Sequence, residues 1–129
     1  MVLSVSTKTI KAQQLPALDI GDISELNGNA EIVRDKSYDA KLKFAIQQND
    51  QAVTKDGRLA IKFLDDSQVK LTEYSELVID EYIFNPDPSK SKMALKFTLG
   101  TARFITGSFN KIDKQNIKLS TPTANIAIR

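Results

Sequence analysis

Apolar and polar residues alternate with a period of two through much of this 129-residue chain. Leu59, Ile61 and Phe63 alternate with Arg58, Ala60 and Lys62, and Val69 and Leu71 with Gln68, Lys70 and Thr72. Leu77 and Ile79 follow, then Tyr82 to Phe84. Met93, Leu95, Phe97 and Leu99 alternate with Ala94, Lys96 and Thr98. Ile117 and Leu119 flank Lys118, and Ile126 and Ile128 flank Ala127. Strand side chains point alternately to opposite faces, so each segment offers one face to a core and one to water. Antiparallel sheets wet on one side carry this pattern.

The punctuation fits short strands. Asn27-Gly28, Lys55-Asp56-Gly57 and Asp65-Asp66-Ser67 are turn formers, and Gly100 and Gly107 bracket Arg103-Phe104-Ile105. Asn85-Pro86-Asp87-Pro88-Ser89 reads as a rigid surface loop, because proline cannot donate to a ladder. Between Ala40 and Ile46, Leu42, Phe44 and Ile46 alternate with Lys41 and Lys43, which favours a strand over a helix. Gln13-Gln14-Leu15-Pro16 reads as a linker. The expected fold is all-β: antiparallel short strands stacked as a sandwich or a solenoid-like barrel.

Composition closes most catalytic routes. The chain has neither histidine nor cysteine, so it lacks the commonest general base, the commonest transition-metal ligand and any thiol nucleophile. Serines have no histidine to activate them, and there is no Gly-x-Ser-x-Gly elbow or phosphate-cradling glycine loop. Asp65, Asp66, Glu73, Glu76, Asp80 and Glu81 crowd one stretch, where paired carboxylates could serve glycoside cleavage or hold calcium. Asp65-Asp66 falls at a hairpin turn, however, where aspartate is favoured for local backbone bonding. No catalytic, cofactor-binding or metal-binding residue is assigned, and no enzymatic activity, cofactor or small-molecule substrate is expected.

Charge is unevenly spread. Residues 1–84 hold ten basic and fourteen acidic side chains, and residues 85–129 hold eight and two. Lys92, Lys96, Arg103, Lys111, Lys114 and Lys118 lie among Phe97, Phe104 and Phe109, a composition that could track a nucleic-acid backbone and stack bases. Phe97 belongs to the alternating apolar face, and the lysines are singly spaced on the other. A solvated strand face is therefore the simpler reading, and nucleic-acid binding is not expected. A protein partner is.

The run Ala52-Val53-Thr54-Lys55-Asp56-Gly57-Arg58-Leu59-Ala60-Ile61-Lys62-Phe63-Leu64-Asp65-Asp66-Ser67-Gln68-Val69-Lys70-Leu71 resembles the FecR-type domain. The likeness continues through Ser75-Glu76-Leu77, Leu99-Gly100-Thr101-Ala102-Arg103 and Ser120 to Arg129. Upstream, Asn27-Gly28-Asn29-Ala30-Glu31-Ile32 resembles the family's opening hairpin. The resemblance divides the chain into an N-terminal extension or arm, 1–21, and a FecR-like β domain, 22–129. It implies stacked short strands without a catalytic cofactor. It also implies kinship with envelope-spanning regulators that relay a receptor signal to a sigma factor, and with FecR-like pieces of phage virions.

No stretch approaches the roughly 20 apolar residues of a membrane helix, and Met1 to Lys8 does not read as a secretory signal. The expectation is therefore a module made in the host cytoplasm, without membrane insertion. It would serve as a structural or docking component of a larger assembly, a virion, in homo-oligomeric or mixed form. The alternative is a periplasmic sensor or partner domain of a cell-surface signalling sigma-factor regulator, if the chain has been trimmed. An open strand edge near Arg129 is the expected docking address.

Overall fold

The computed structural model describes residues 18–107, 112–121 and 125–128. Among the described residues there are twelve strands, beginning with β1 (Asp19–Asn27), β2 (Ala30–Val33), β3 (Ser37–Asp39), β4 (Ala45–Gln47), β5 (Gln51–Thr54) and β6 (Arg58–Phe63). After them come β7 (Gln68–Leu71), β8 (Glu76–Ile83), β9 (Lys92–Leu99), β10 (Thr101–Ile105), β11 (Ile117–Ser120) and β12 (Asn125–Ile128). Short 3-10 turns at Pro88–Lys90 and Lys114–Asn116 interrupt the loops.

The strands form two six-stranded sheets, ordered β12-β10-β7-β6-β1-β4 and β11-β9-β8-β5-β2-β3. Read side by side, the orders pair each strand with its sequence neighbour: β4 with β3, β1 with β2, β6 with β5, β7 with β8, β10 with β9 and β12 with β11. The chain therefore runs as six ribs, each with one strand in either sheet, and the first five bend from one sheet to the other at a corner. The result is an open sandwich, with stacked ribs in place of a closed barrel. Neighbouring ribs are antiparallel except the last, where β12 runs parallel to β10 and β11 parallel to β9.

Between the sheets lie the alternating residues named from sequence: Leu59, Ile61, Phe63, Val69, Leu71, Leu77, Ile79, Met93, Leu95 and Phe97 are all buried. Ile20, Ile23, Ile32, Ile46, Tyr82, Phe104 and Ile112 join them in the core. Ile117 and Leu119 of the last rib are half-buried against it. Bulges adjust the period. Leu77 pairs with Phe97 but Glu76 with Leu99, so Thr98 is an extra residue that turns Leu99 outward, 49% exposed. A second bulge, at Asp80, brings Tyr82 back to the interior opposite Met93.

Two expectations are corrected. The Ala40–Ile46 alternation does not make a continuous strand: residues 41–44 form a turn, Lys43 has φ 67°, and Leu42 is 61% exposed. Only Ala45–Gln47 pairs, because the chain must bend there to pass between sheets. Asn27-Gly28 opens no hairpin either, since β1 and β2 lie in different sheets and the dipeptide is a corner. The first strand, β1, begins at Asp19 and pairs with β4 from its first residue. The linker at Gln13–Pro16 lies outside the described residues.

Candidate binding surfaces

The family-like positions turn out to build the corners. Thr54 Oγ1 donates to the Thr72 carbonyl at 2.6 Å and accepts from the Ser75 amide at 2.8 Å, tying the β5–β6 corner to the β7–β8 corner. Thr101 N donates to Ser75 Oγ at 3.1 Å and adds the next corner. Backbone bonds continue the column, from Lys55 N to Asn29 O at 3.0 Å and from Tyr74 N to Lys55 O at 2.8 Å. Two glycines let these corners close. A Cβ on Gly57 would run into backbone atoms of Asn27 and Asn29, and one on Gly100 (φ 85°) would overlap Ser75.

The opposite end is closed by side chains. Asp65 Oδ1 accepts from Tyr82 Oη at 2.6 Å and from Ser67 Oγ at 2.7 Å, linking the β6–β7 hairpin of one sheet to β8 of the other. Burial and then the Asp65 hydrogen bond push the Tyr82 phenol well above its ordinary range. Phe63 stacks on Tyr82 with ring centroids 5.1 Å apart. Farther along, Arg34 grips Asp50 with two 2.7 Å bonds, while its guanidinium lies over the rings of Tyr38 and Phe44.

The acidic stretch singled out from sequence is dispersed by this geometry. Asp65 is consumed in the Tyr82 bond, and Asp66 faces Lys62 at 3.9 Å. At the corner end, Glu73 meets Arg58 at 3.1 Å; a backbone amide bond and Arg58 hold its carboxyl below the ordinary value. Glu76 accepts from Gln51 at 3.2 Å on the outer face of the second sheet. Asp80 and Glu81 follow on that strand. No pair of these carboxylates brackets a cleft that could hold a glycoside, and no group of carboxylates among the described residues is placed to bind a metal ion.

The basic residues separate as well. Lys92, Lys96 and Lys118 project from the outer face of the second sheet, but Arg103 projects from the outer face of the first. Phe97 and Phe104 are buried between the sheets and offer no ring to a base. Lys111, Phe109, Arg129 and the Lys114 side chain lie outside what is described. On the first sheet, Lys62, Lys70 and Arg58 are each matched by a carboxylate. This is a solvated, charge-paired strand face.

Sequence reasoning missed the groove on the corner side. About 600 Å³ in volume, it is lined by Ala30, Glu31, Asp39, Ala40, Asp56 and Tyr74 among others. Tyr74 stands 66% exposed there with φ 53°. Its only sequence signal was an aromatic residue inside a turn.

Fold and surfaces together define an all-β sandwich module whose polar groups serve mainly to hold its corners and its open end. Residues 50–129 match the family described as FecR protein. The chain belongs to the FecR family. The match takes in β5 to β12, four of the six ribs, and does not reach back to the β1–β4 segment where the resemblance was drawn from residue 22. No curated protein and no solved structure matches the chain. Among the described residues, no helix is long and apolar enough to cross a membrane.

Proposed function

We propose that this chain is a non-catalytic protein-binding module acting as the periplasmic sensor or partner domain of a cell-surface signalling regulator. The FecR match over residues 50–129 carries the reading. Two structural facts support the non-catalytic part. The carboxylates nominated for chemistry sit at opposite ends of the sandwich, and no buried side-chain polar atom among the described residues is left without a hydrogen-bond partner. An enzyme site usually holds polar groups in reserve for substrate. The virion setting gains no comparable support from the fold or the match.

Alkaline phosphatase fused to the C-terminus of the full-length gene product tests the setting. Phosphatase activity in intact cells, together with co-purification of a receptor or sigma-factor regulator, is the expected result. A fusion retained in the cytoplasm, or a product recovered in purified phage particles, would overturn it.

A further inference from the structure

The two ends of the rib stack are opposite in charge and alike in strand direction. At one end the edges are β3 and β4, at the other β11 and β12. None of the four outer edges has a hydrogen-bonded neighbour strand among the described residues. Residues 18–50, which supply β1 to β4, carry seven acidic and four basic side chains, whereas residues 85–129, which supply β9 to β12, carry two and eight. Followed through the pairings, β4 and β12 run the same way in the first sheet. So do β3 and β11 in the second. A translation along the stack, with the rotation that sheet twist requires, brings β11 of one copy to β3 of the next and β12 to β4 in one movement. Both new pairs would be parallel, as the last rib already is with its neighbour. The side chains match as well. The inner rows are only half-buried at the ends: Tyr38 and Phe44 at one, Ile117 and Leu119 at the other. On the outer face of the second sheet, Asp39 of β3 is exposed opposite Glu31, while Lys118 of β11 is exposed near Lys96 of β9.

We propose that copies of this chain associate head to tail, the β11–β12 edges of one seated on the β3–β4 edges of the next. Like ends repel, Lys118 against Lys118 or Asp39 against Asp39, so symmetric pairing is disfavoured. Unlike ends bring Lys118 and Lys96 to Asp39 and Glu31 and withdraw Ile117, Leu119 and Tyr38 from water. The contact is heterologous and leaves each copy one free end, so the product is an open stack that continues both sheets. The edges are three or four residues long, which keeps the association weak and reversible. The signalling role does not depend on it.

Sedimentation velocity of the full chain over a concentration series, with amide spectra of the isotope-labelled chain on the same samples, tests this. Weight-average mass should rise with concentration and fall back at high salt. The amides that shift with concentration should be those of Ser37–Asp39, Ala45–Gln47 and Ile117–Ser120. Glu31→Lys/Asp39→Lys and Lys96→Glu/Lys118→Glu should each self-associate about tenfold more weakly than the parent. Mixed one to one, the two variants should associate again, because the acidic ends of one meet the basic ends of the other. Melts matching the parent's show that the variants fold, and the parent's own amide shifts decide the question without them. A chain that stays monomeric at millimolar concentration, shifts confined to one end of the stack, or variants that associate as tightly as the parent would overturn the proposal.

Discussion

The phenolic oxygen of Tyr82 lies 2.6 Å from Asp65 Oδ1, and this bond joins the two sheets at the end away from the corners. Asp65 also donates its backbone N–H to the same oxygen at 3.1 Å. One phenol thus serves as donor to a carboxylate and acceptor from an amide, both buried.

Tyr82→Phe is therefore expected to destabilise the fold by about 1–3 kcal/mol, the usual cost of leaving a buried polar partner unmade. The parent should also lose stability in alkali. Its phenol is raised in the folded state, so the contribution is complete below the ordinary value of 10.0 and declines as pH rises above it. Urea melts at neutral pH and above pH 10 check both points. A Phe variant with the same alkaline slope as the parent would contradict the assignment.

Arg34 and Asp50 form the second closure, with Asp50 only 1% exposed and the Arg34 side chain 27% exposed. Removing the cation strands a buried carboxylate, whose remaining side-chain bond is to the Gln47 amide at 2.8 Å. Arg34→Ala should cost about 2–4 kcal/mol, below the range for fully buried pairs because Arg34 is partly screened by solvent. Arg34→Met/Asp50→Leu should recover much of that loss. Chemical denaturation of the three chains provides the comparison.

Gly57→Ala should be among the most damaging small substitutions, costing about 3 kcal/mol or more, because the obstructing atoms are backbone of Asn27 and Asn29. Gly100→Ala combines a left-handed φ with overlap at Ser75 and should behave similarly. Thermal melts of both variants suffice. A neutral effect at Gly57 would mean that the corners are not in contact.

Tyr74→Gly should move in the other direction. Glycine accepts φ 53° without penalty, so the free chain should gain about 1 kcal/mol. Calorimetry on the variant and the parent checks the gain.

Much of the core was legible, because Leu59, Ile61 and Phe63, and Met93, Leu95 and Phe97, recur with the period of two of a half-buried strand, although Ala60 on the outward parity is buried as well. What stayed hidden was which turns reverse the chain and which change its layer. Asn27-Gly28 and Asp65-Asp66-Ser67 carry similar turn chemistry, yet one crosses between sheets and the other joins neighbours in one sheet. The difference lies in a contact made far along the chain, between Gly57 and Asn27, which local composition does not encode. The groove was hidden for a related reason: Glu31 and Asp39 become opponents only once β2 and β3 are in register.

The bent ribs also limit how such a protein can change in length. A lone strand added to one sheet would extend beyond its counterpart and leave its inner face uncovered, whereas a complete bent segment added at either end lengthens both layers together. The FecR match begins at Asp50, one residue before β5, so it takes up whole segments and leaves whole segments out. Descendants and ancestors of this fold are expected to differ in size by such increments, gained or lost at the ends of the stack.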